Sequence, residues 1–428
     1  MKRVTQRTLL STAIALAAFQ AHGAGFQISE HSASGLGRAF AGEAAIADNA
    51  AVAARNPAAM TMFDSAQVSG GLSFVQPDVD VKVNNAALNG TTLGAGEHND
   101  VAPDAIIPNF HYVRPLNDRM ALGFSTFSNF GLSTEYPTDS PAGAIGGQTE
   151  LLTVDFNANF AYEINDQLSL GAGLNAVYAD AELKRQKGIL SSSFALGGTA
   201  ADEISYLAGD GWGFGWNVGA LWQFNKDNRL GVGYRSKVDI TLEGDYKGTS
   251  AASTVPGELE LNLPDIFEFS GFHKLSNEWA VHYSAMRIGW SSFQELRATS
   301  SQCLSLAGQG VCLQKDEKWD DTWRYAVGVT HFLNDQWELR AGYAKDESPV
   351  PNSHRTLSIP DTERNWYTFG ATYFAADNLS IDAGFAYLSG DDVTGTESEN
   401  LPGGAVASYD FTAGGDAYIY ALSANYTF

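Results

Sequence analysis

Apolar and polar residues alternate along most of this chain with a period of two. From Leu152 to Tyr162, the phase Leu152, Val154, Phe156, Ala158, Phe160 and Tyr162 is apolar, while Thr153, Asp155, Asn157 and Asn159 are polar. Leu168, Leu170, Leu174 and Tyr178 oppose Ser169, Gly171, Gly173 and Asn175 in the same way, and Trp323, Tyr325, Val327 and Val329 oppose Arg324, Gly328 and Thr330. Successive side chains of a strand point to opposite faces, so each stretch presents one face to an apolar medium and one to a wet interior. Six tight polar junctions punctuate the pattern: Asn117-Asp118, Asn165-Asp166, Lys226-Asp227-Asn228, Ser276-Asn277, Asn334-Asp335 and Ala376-Asp377-Asn378. Asn and Asp suit such turns because their side chains cap nearby backbone. Six turns join twelve strands, and a first strand near 66–83 and a last one at the C-terminus make fourteen. The last strand puts Tyr418, Tyr420, Leu422, Ala424, Tyr426 and the terminal Phe428 on one face. An open sheet with such an edge would aggregate, and closure removes the edge. The pattern therefore predicts an all-β fold, a transmembrane antiparallel β-barrel of 14 strands. The tryptophans Trp212, Trp216, Trp222, Trp279, Trp290, Trp323, Trp337 and Trp366 are expected at its interfacial girdles.

Three stretches break the alternation. Residues 1–23 read as a signal peptide, with Lys2, Arg3 and Arg7 ahead of a short apolar core and small residues at Ala21-His22-Gly23. Ala24–Phe63 is rich in Ala and Gly and has no period of two. Its runs 39–47 and 50–54 suit slim helices, broken by Gly35, Gly37 and Gly42 and stopped at Pro57. A fourteen-stranded barrel encloses a wide lumen, so this segment is expected to be a small helical hatch plugging the barrel formed by residues 64–428. Third, the strand from Met120 meets turn-like Ser128-Asn129-Phe130-Gly131, which marks either a bulge or the strand's end.

Composition narrows the function classes. The formal charge is −23, and loss of the leader removes three cations, so nucleic acid is excluded as a partner. The carboxylates are expected in solvated loops. Cys303 and Cys312 lie close in sequence; in an exported chain they either form a disulfide stapling one loop or remain two thiols. Without nearby His they make a poor zinc site, and no other metal or cofactor motif is present. No nucleophile elbow, metalloprotease or phosphate-loop signature occurs, so an enzyme is not expected. A triad assembled in space would be the exception. Between 187 and 211 the chain is apolar at Ile189, Leu190, Phe194, Leu196, Ile204, Tyr206 and Leu207, which predicts an exposed capture surface. The following loop, 248–256, is short and polar.

Several collinear motifs carry a resemblance. Ser34-Gly35-Leu36-Gly37-Arg38-Ala39, Gly42-Glu43, Arg55-Asn56-Pro57-Ala58, Ser128-Asn129-Phe130-Gly131-Leu132, Trp212-Gly213-Phe214-Gly215-Trp216-Asn217, Leu261-Asn262-Leu263-Pro264 and Ile359-Pro360-Asp361 resemble the FadL-type long-chain fatty acid transporters of bacterial outer membranes. The resemblance implies diffusive uptake of a hydrophobic ligand and lateral release through a gap at Asn129, Phe130 and Gly131, with Asn56, Pro57 and Ala58 packed nearby. It implies a ligand carboxylate held by Arg185, with Lys318 standing in for a basic residue displaced to Asp320 and Arg364 as a third cation. Arg185 has an alternative role in pairing lipid phosphates or loop acids. Phe26 either closes the slot from below or simply packs the hatch. The terminal Phe428 resembles the signal read by the barrel assembly machinery, and outer-membrane lipids and lipopolysaccharide would surround the wall. A channel for aromatic hydrocarbons and a general porin are the alternatives.

Overall fold

The computed structural model describes residues 25–192, 197–401 and 404–428. Fourteen wall strands form one closed antiparallel barrel. They are β1 (Gln67–Leu88), β2 (Ala105–Asn117), β3 in two pieces (Met120–Phe127 and Gly131–Glu135), β4 (Gln148–Asn165), β5 (Leu168–Gln186) and β6 (Glu203–Asn225). β7 (Asn228–Arg235 and Val238–Gly248), β8 (Val255–Leu263 and Ile266–Lys274), β9 (Trp279–Ile288 and Glu295–Ser305) and β10 (Gly308–Asp316 and Thr322–Asn334) are also interrupted. β11 (Trp337–Asp346), β12 (Arg364–Ala376), β13 (Leu379–Gly390) and β14 (Val406–Thr427) complete the wall. Closure is by β14 on β1, from Gln67 opposite Thr427 to Leu88 opposite Ala407. The six polar junctions all fall at tight turns on one rim. At the other rim the long connections carry two further strands, Thr91–His98 and Val393–Asn400, which extend the wall outward.

The alternation sorts as its chemistry requires. Phe156, Phe160 and Tyr162 face outward while Asp155, Asn157 and Asn159 are buried on the lumen side. Tyr420, Leu422, Tyr426 and Phe428 are exposed on β14. Among the described residues no helix is long and apolar enough to span a bilayer, and the strands carry the apolar band. Trp212, Trp216, Trp222, Trp279 and Trp337 are exposed on that outer face, but Trp290 and Trp366 are fully buried in the interior. The girdle expectation fails for these two because Trp290 sits where β9 is interrupted, and Trp366 packs inward against Arg324 and Phe40.

Residues 25–63 lie against the lumen face. Helices form at Ala33–Leu36, capped by the Ser32 hydroxyl accepting from Gly35 N, and at Val52–Arg55; Pro57–Met62 is a 3₁₀ turn. Gly35 and Gly37 therefore sit inside and at the end of a helix rather than breaking one, and Pro57 opens a turn as well as following a helix. The helix expected over 39–47 is absent. Turns replace it, with positive φ at Ala39, Phe40, Gly42 and Ala47. The wall takes over the hydrogen bonds a helix would satisfy internally: Gly42 N donates to Ser284 Oγ at 2.7 Å and Ala44 N to Ser270 Oγ at 3.2 Å.

The expected capture loop is also different. Ile189 and Leu190 are buried in a cluster with Val81, Tyr136, Leu357 and Phe411, so they roof the barrel rather than exposing a greasy surface. Ile204, Tyr206 and Leu207 belong to β6, and Phe194 and Leu196 lie outside the described residues.

Cys303 and Cys312 are joined by a disulfide across the β9–β10 tip, with Cα atoms 5.0 Å apart. Reduction should loosen only this hairpin. Limited proteolysis should then cut within 300–310 while the barrel keeps its folded gel mobility; loss of that mobility would show that the bond supports the whole wall.

Candidate functional site

The break in β3 is a one-residue bulge. Phe127 pairs with Asp155 and Gly131 with Leu152, so Ser128, Asn129 and Phe130 stand opposite only Thr153 and Val154. Pairing with β2 stops at Phe110 opposite Thr126, which leaves the outer piece of β3 without a β2 partner. The N-terminal segment fills this seam. Gln27 bridges to Phe130, Ile28 N donates to Asn129 O at 2.7 Å, and Gly131 N donates to Phe26 O at 2.8 Å. From the β2 side, Asn109 Nδ2 donates to Glu30 O at 3.2 Å, and His111 Nε2 lies 3.0 Å from His31 O. The His31 ring meets Ser128 O at 3.1 Å, and burial with Arg55 and His111 nearby holds its pKa well below the usual histidine range.

Behind the seam runs a buried polar chain. Asn129 Nδ2 donates to Asp155 Oδ2 at 3.2 Å. Arg235 Nη1 donates to the same oxygen at 3.2 Å and also to Asn175, while Nη2 donates to Ala54 O at 2.8 Å. Its guanidinium lies 5.0 Å over the Phe127 ring. Asn159 supplies a donor to Ala53 O at 3.0 Å. The wall thus satisfies carbonyls at the end of helix Val52–Arg55 that have no partner within the helix.

Asn56, Pro57 and Ala58 do not pack on the break. Asn56 Nδ2 donates to Ala44 O and Ala220 O, and the three residues rest on Gly171 and Gly219 of β5 and β6. Residues 26–31 occupy the seam because only an extended segment can complete the broken ladder. Arg235 instead ties the break to Ala54 O, in the helix that precedes the Asn-Pro-Ala turn.

Phe26 belongs at once to the seam and to an aromatic box. Its ring centroid lies 4.6 Å from Trp290, 5.3 Å from Phe293, 5.5 Å from Trp319 and 6.0 Å from Phe130. Neither the Trp290 nor the Trp319 indole nitrogen has a hydrogen-bond partner among the described residues. Charged groups continue outward from the box. Lys315 Nζ pairs with Glu397 and donates to Ser358 Oγ at 3.0 Å. Arg185 is buried and feels Glu397, Glu399, Tyr136 and Glu317. Its donors go to Gln148 O at 2.6 Å, Lys184 O at 2.8 Å and Thr149 Oγ1 at 3.0 Å. Glu399 is solvent-exposed at the outer strand, and crowding by surrounding atoms, then the neighbouring Glu397, raises its carboxyl. The Glu317 carboxyl is pushed up to about 7, mainly by burial.

Of the cations expected at the site, Arg185 is in this cluster. Lys318 is not: it is exposed, at positive φ, and paired to Asp316 at 2.6 Å. The inward cation is Lys315, which shares its strand phase with buried Glu317 and Trp319. Arg364 pairs with Asp361 at 2.7 Å, and Asp361 in turn accepts from the Gly25 backbone. Period two around 315–319 carried the signal for Lys315. Trp290, Phe293, Asp155 and Arg235 had none beyond their phase, since the box and the polar chain are assembled from distant strands.

A closed fourteen-stranded antiparallel barrel with an apolar outer band is the architecture of an outer-membrane protein. Residues 14–428 match the family described as outer membrane protein transport protein (OMPP1/FadL/TodX), and the chain belongs to that family. It is 40% identical over 458 residues to a long-chain fatty acid transport protein of Escherichia coli O6:H1, covering 100% of this chain and 99% of that one. It is 38% identical over 470 residues to outer membrane protein P1 of Haemophilus influenzae, covering both in full. Among solved structures, a Pseudomonas aeruginosa FadL homologue superposes with a TM-score of 0.83 at 24% identity, over 95% of this chain and all of that one. The Pseudomonas putida toluene transporter TodX superposes at 0.66 and 17% identity, over 96% and 99%. These superpositions establish the fold.

Proposed function

We propose that this protein takes up long-chain fatty acids, or closely related hydrophobic molecules, by diffusion across the outer membrane, with residues 24–63 as a hatch and lateral release through the β3 break. The observation that carries this is the double role of Phe26. A ligand tail entering the box of Trp290, Phe293, Trp319 and Phe130 must displace the Phe26 ring. The same residue's carbonyl accepts from Gly131 N in the wall seam, so filling the box strains the hydrogen bonds that close the gap. An apolar solute gains nothing from a watery pore and can leave sideways into lipid. Arg185 and Lys315 supply cations for the carboxylate, which would be costly to bury unpaired. The relatives named as long-chain fatty acid transport proteins support the substrate class.

Arg185→Ala should weaken binding of a fatty acid by tenfold or more, about 1.4 kcal/mol, and leave the corresponding alcohol unaffected. Fluorescence displacement on the purified barrel measures both; equal losses would remove Arg185 from the headgroup site. A second reading, passage of monoaromatic hydrocarbons, is favoured by the five-ring box itself, whose faces and edges suit a flat ring. On that reading toluene competes at the box and Arg185→Ala changes nothing.

A further inference from the structure

Glu317 is the one group at the site whose placement the uptake reading leaves unexplained. It lies in the interruption of β10 between Asp316 and Thr322, fully buried, and its carboxyl oxygens make no hydrogen bond among the described residues. The Trp319 indole beside it steadies the charged form a little without reaching full hydrogen-bond geometry, and burial is the larger effect. An ionised carboxylate in that position is unfavourable, since burial penalises charge that is not paired. Lys315 and Arg185 facing it relieve this only in part. Lys315 on its own strand is already paired with Glu397 from the outer hairpin, and Arg185 from β5 is bonded to backbone oxygens and Thr149. Glu399 adds another acid on the same hairpin. The cluster therefore holds three carboxyls, Glu317, Glu397 and Glu399, against two cations, Lys315 and Arg185. A ligand carboxylate arriving here would be a fourth acid.

We propose that the site binds an anionic headgroup together with one proton, which Glu317 takes up from solvent. Protonated, Glu317 carries no charge and turns from acceptor to donor, so its O–H can point to the ligand's oxygen while Arg185 and Lys315 face the remaining charge. This rests on the fatty-acid reading above and names the protonation state in which that site works. Burial already pushes the free carboxyl up to about 7, and a neighbouring anion moves it higher still. The sign follows: proton uptake accompanies binding, so affinity falls as pH rises through the free group's range.

Dodecanoate, dodecanesulfonate and dodecanol separate the possibilities, because the sulfonate stays ionised at every pH used. In the wild-type protein the affinity for both anions should fall about tenfold from pH 6 to pH 8, while dodecanol stays flat. Glu317→Gln mimics the protonated form; it should bind both anions with the low-pH affinity throughout. Calorimetry of the wild type at pH 7 in buffers of different ionisation enthalpy should count about half a proton taken up per dodecanesulfonate, a readout that needs no variant. Anion affinities independent of pH, no proton uptake, or a pH slope that survives in Glu317→Gln would each overturn the proposal and leave fatty-acid binding standing. Dodecanol binding with no anion binding at any pH would overturn the carboxylate reading itself.

Discussion

Gly231→Val should unseat the hatch and open the barrel to ions. Gly231 lies on β7, and a Cβ at this position would stand 1.8 Å from Ala44 O. That is backbone, which cannot swing aside as a flexible side chain would. Overpacking of this kind costs about 1–3 kcal/mol where neighbours can adjust. Here adjustment means moving the 42–46 turn away from Ser270 and Ser284, which hold its N–H groups. The same contact recurs at Gly342, where a Cβ would meet Arg38 C at 2.2 Å. The barrel needs no side chain at either place, so the wall should still form and run as a folded species on gels. Single-channel recordings in planar bilayers should show a steady ion current in Gly231→Val that is absent from the parent. An equally silent variant would mean that the hatch does not seal the lumen, and a parent that already conducts would favour the porin alternative.

Arg235→Met should loosen the wall seam without touching the aromatic box. The guanidinium ties Ala54 O of the hatch to Asp155, and Asp155 holds Asn129 at the break. Removing one partner of a buried pair costs about 3–5 kcal/mol, because the other is left charged and unpaired. The loss should appear where the chain ends, at the bonds Ile28 N to Asn129 O and Gly131 N to Phe26 O. Hydrogen exchange at those two amides should quicken by at least tenfold, while the β10–β11 ladder around Val327 and Tyr343 stays protected. The added substitution Asp155→Leu removes the stranded charge and should restore part of the protection. Exchange at Ile28 and Gly131 that matches the parent would mean that the hatch and the break are held independently.

These two positions also show how evenly the hatch is fitted. Its docking surface pairs backbone and small side chains with wall glycines and hydroxyls, and carries a buried ion pair of Arg38 with Glu43 at 2.6 Å and a partly exposed one of Arg38 with Asp48 at 2.7 Å. Such an interface combines apolar burial, as at Ile28, Leu36, Phe40 and Met60 against the wall, with strict register.

The barrel was legible because its signal is local. A period of two and a polar turn between neighbouring strands need only adjacent residues to agree, and the strand count followed from the six turns. The bulge at Ser128–Phe130 was legible for the same reason, as a local failure of alternation, and so was the small girth of residues 24–63. Conformation inside that segment was not. Ala-rich composition favours helix, yet the 39–47 stretch turns because Ser270 and Ser284, more than two hundred residues away, accept its N–H groups. The site shows the same division. Phase alone puts Lys315, Glu317 and Trp319 on one face, whereas Phe26, Trp290 and Arg185 meet only because the sheet closes on itself and the chain's beginning is folded into it. Which residue points inward is a one-dimensional property of the sequence. Which inward residues touch is set by closure of the wall and by the hatch that fills it.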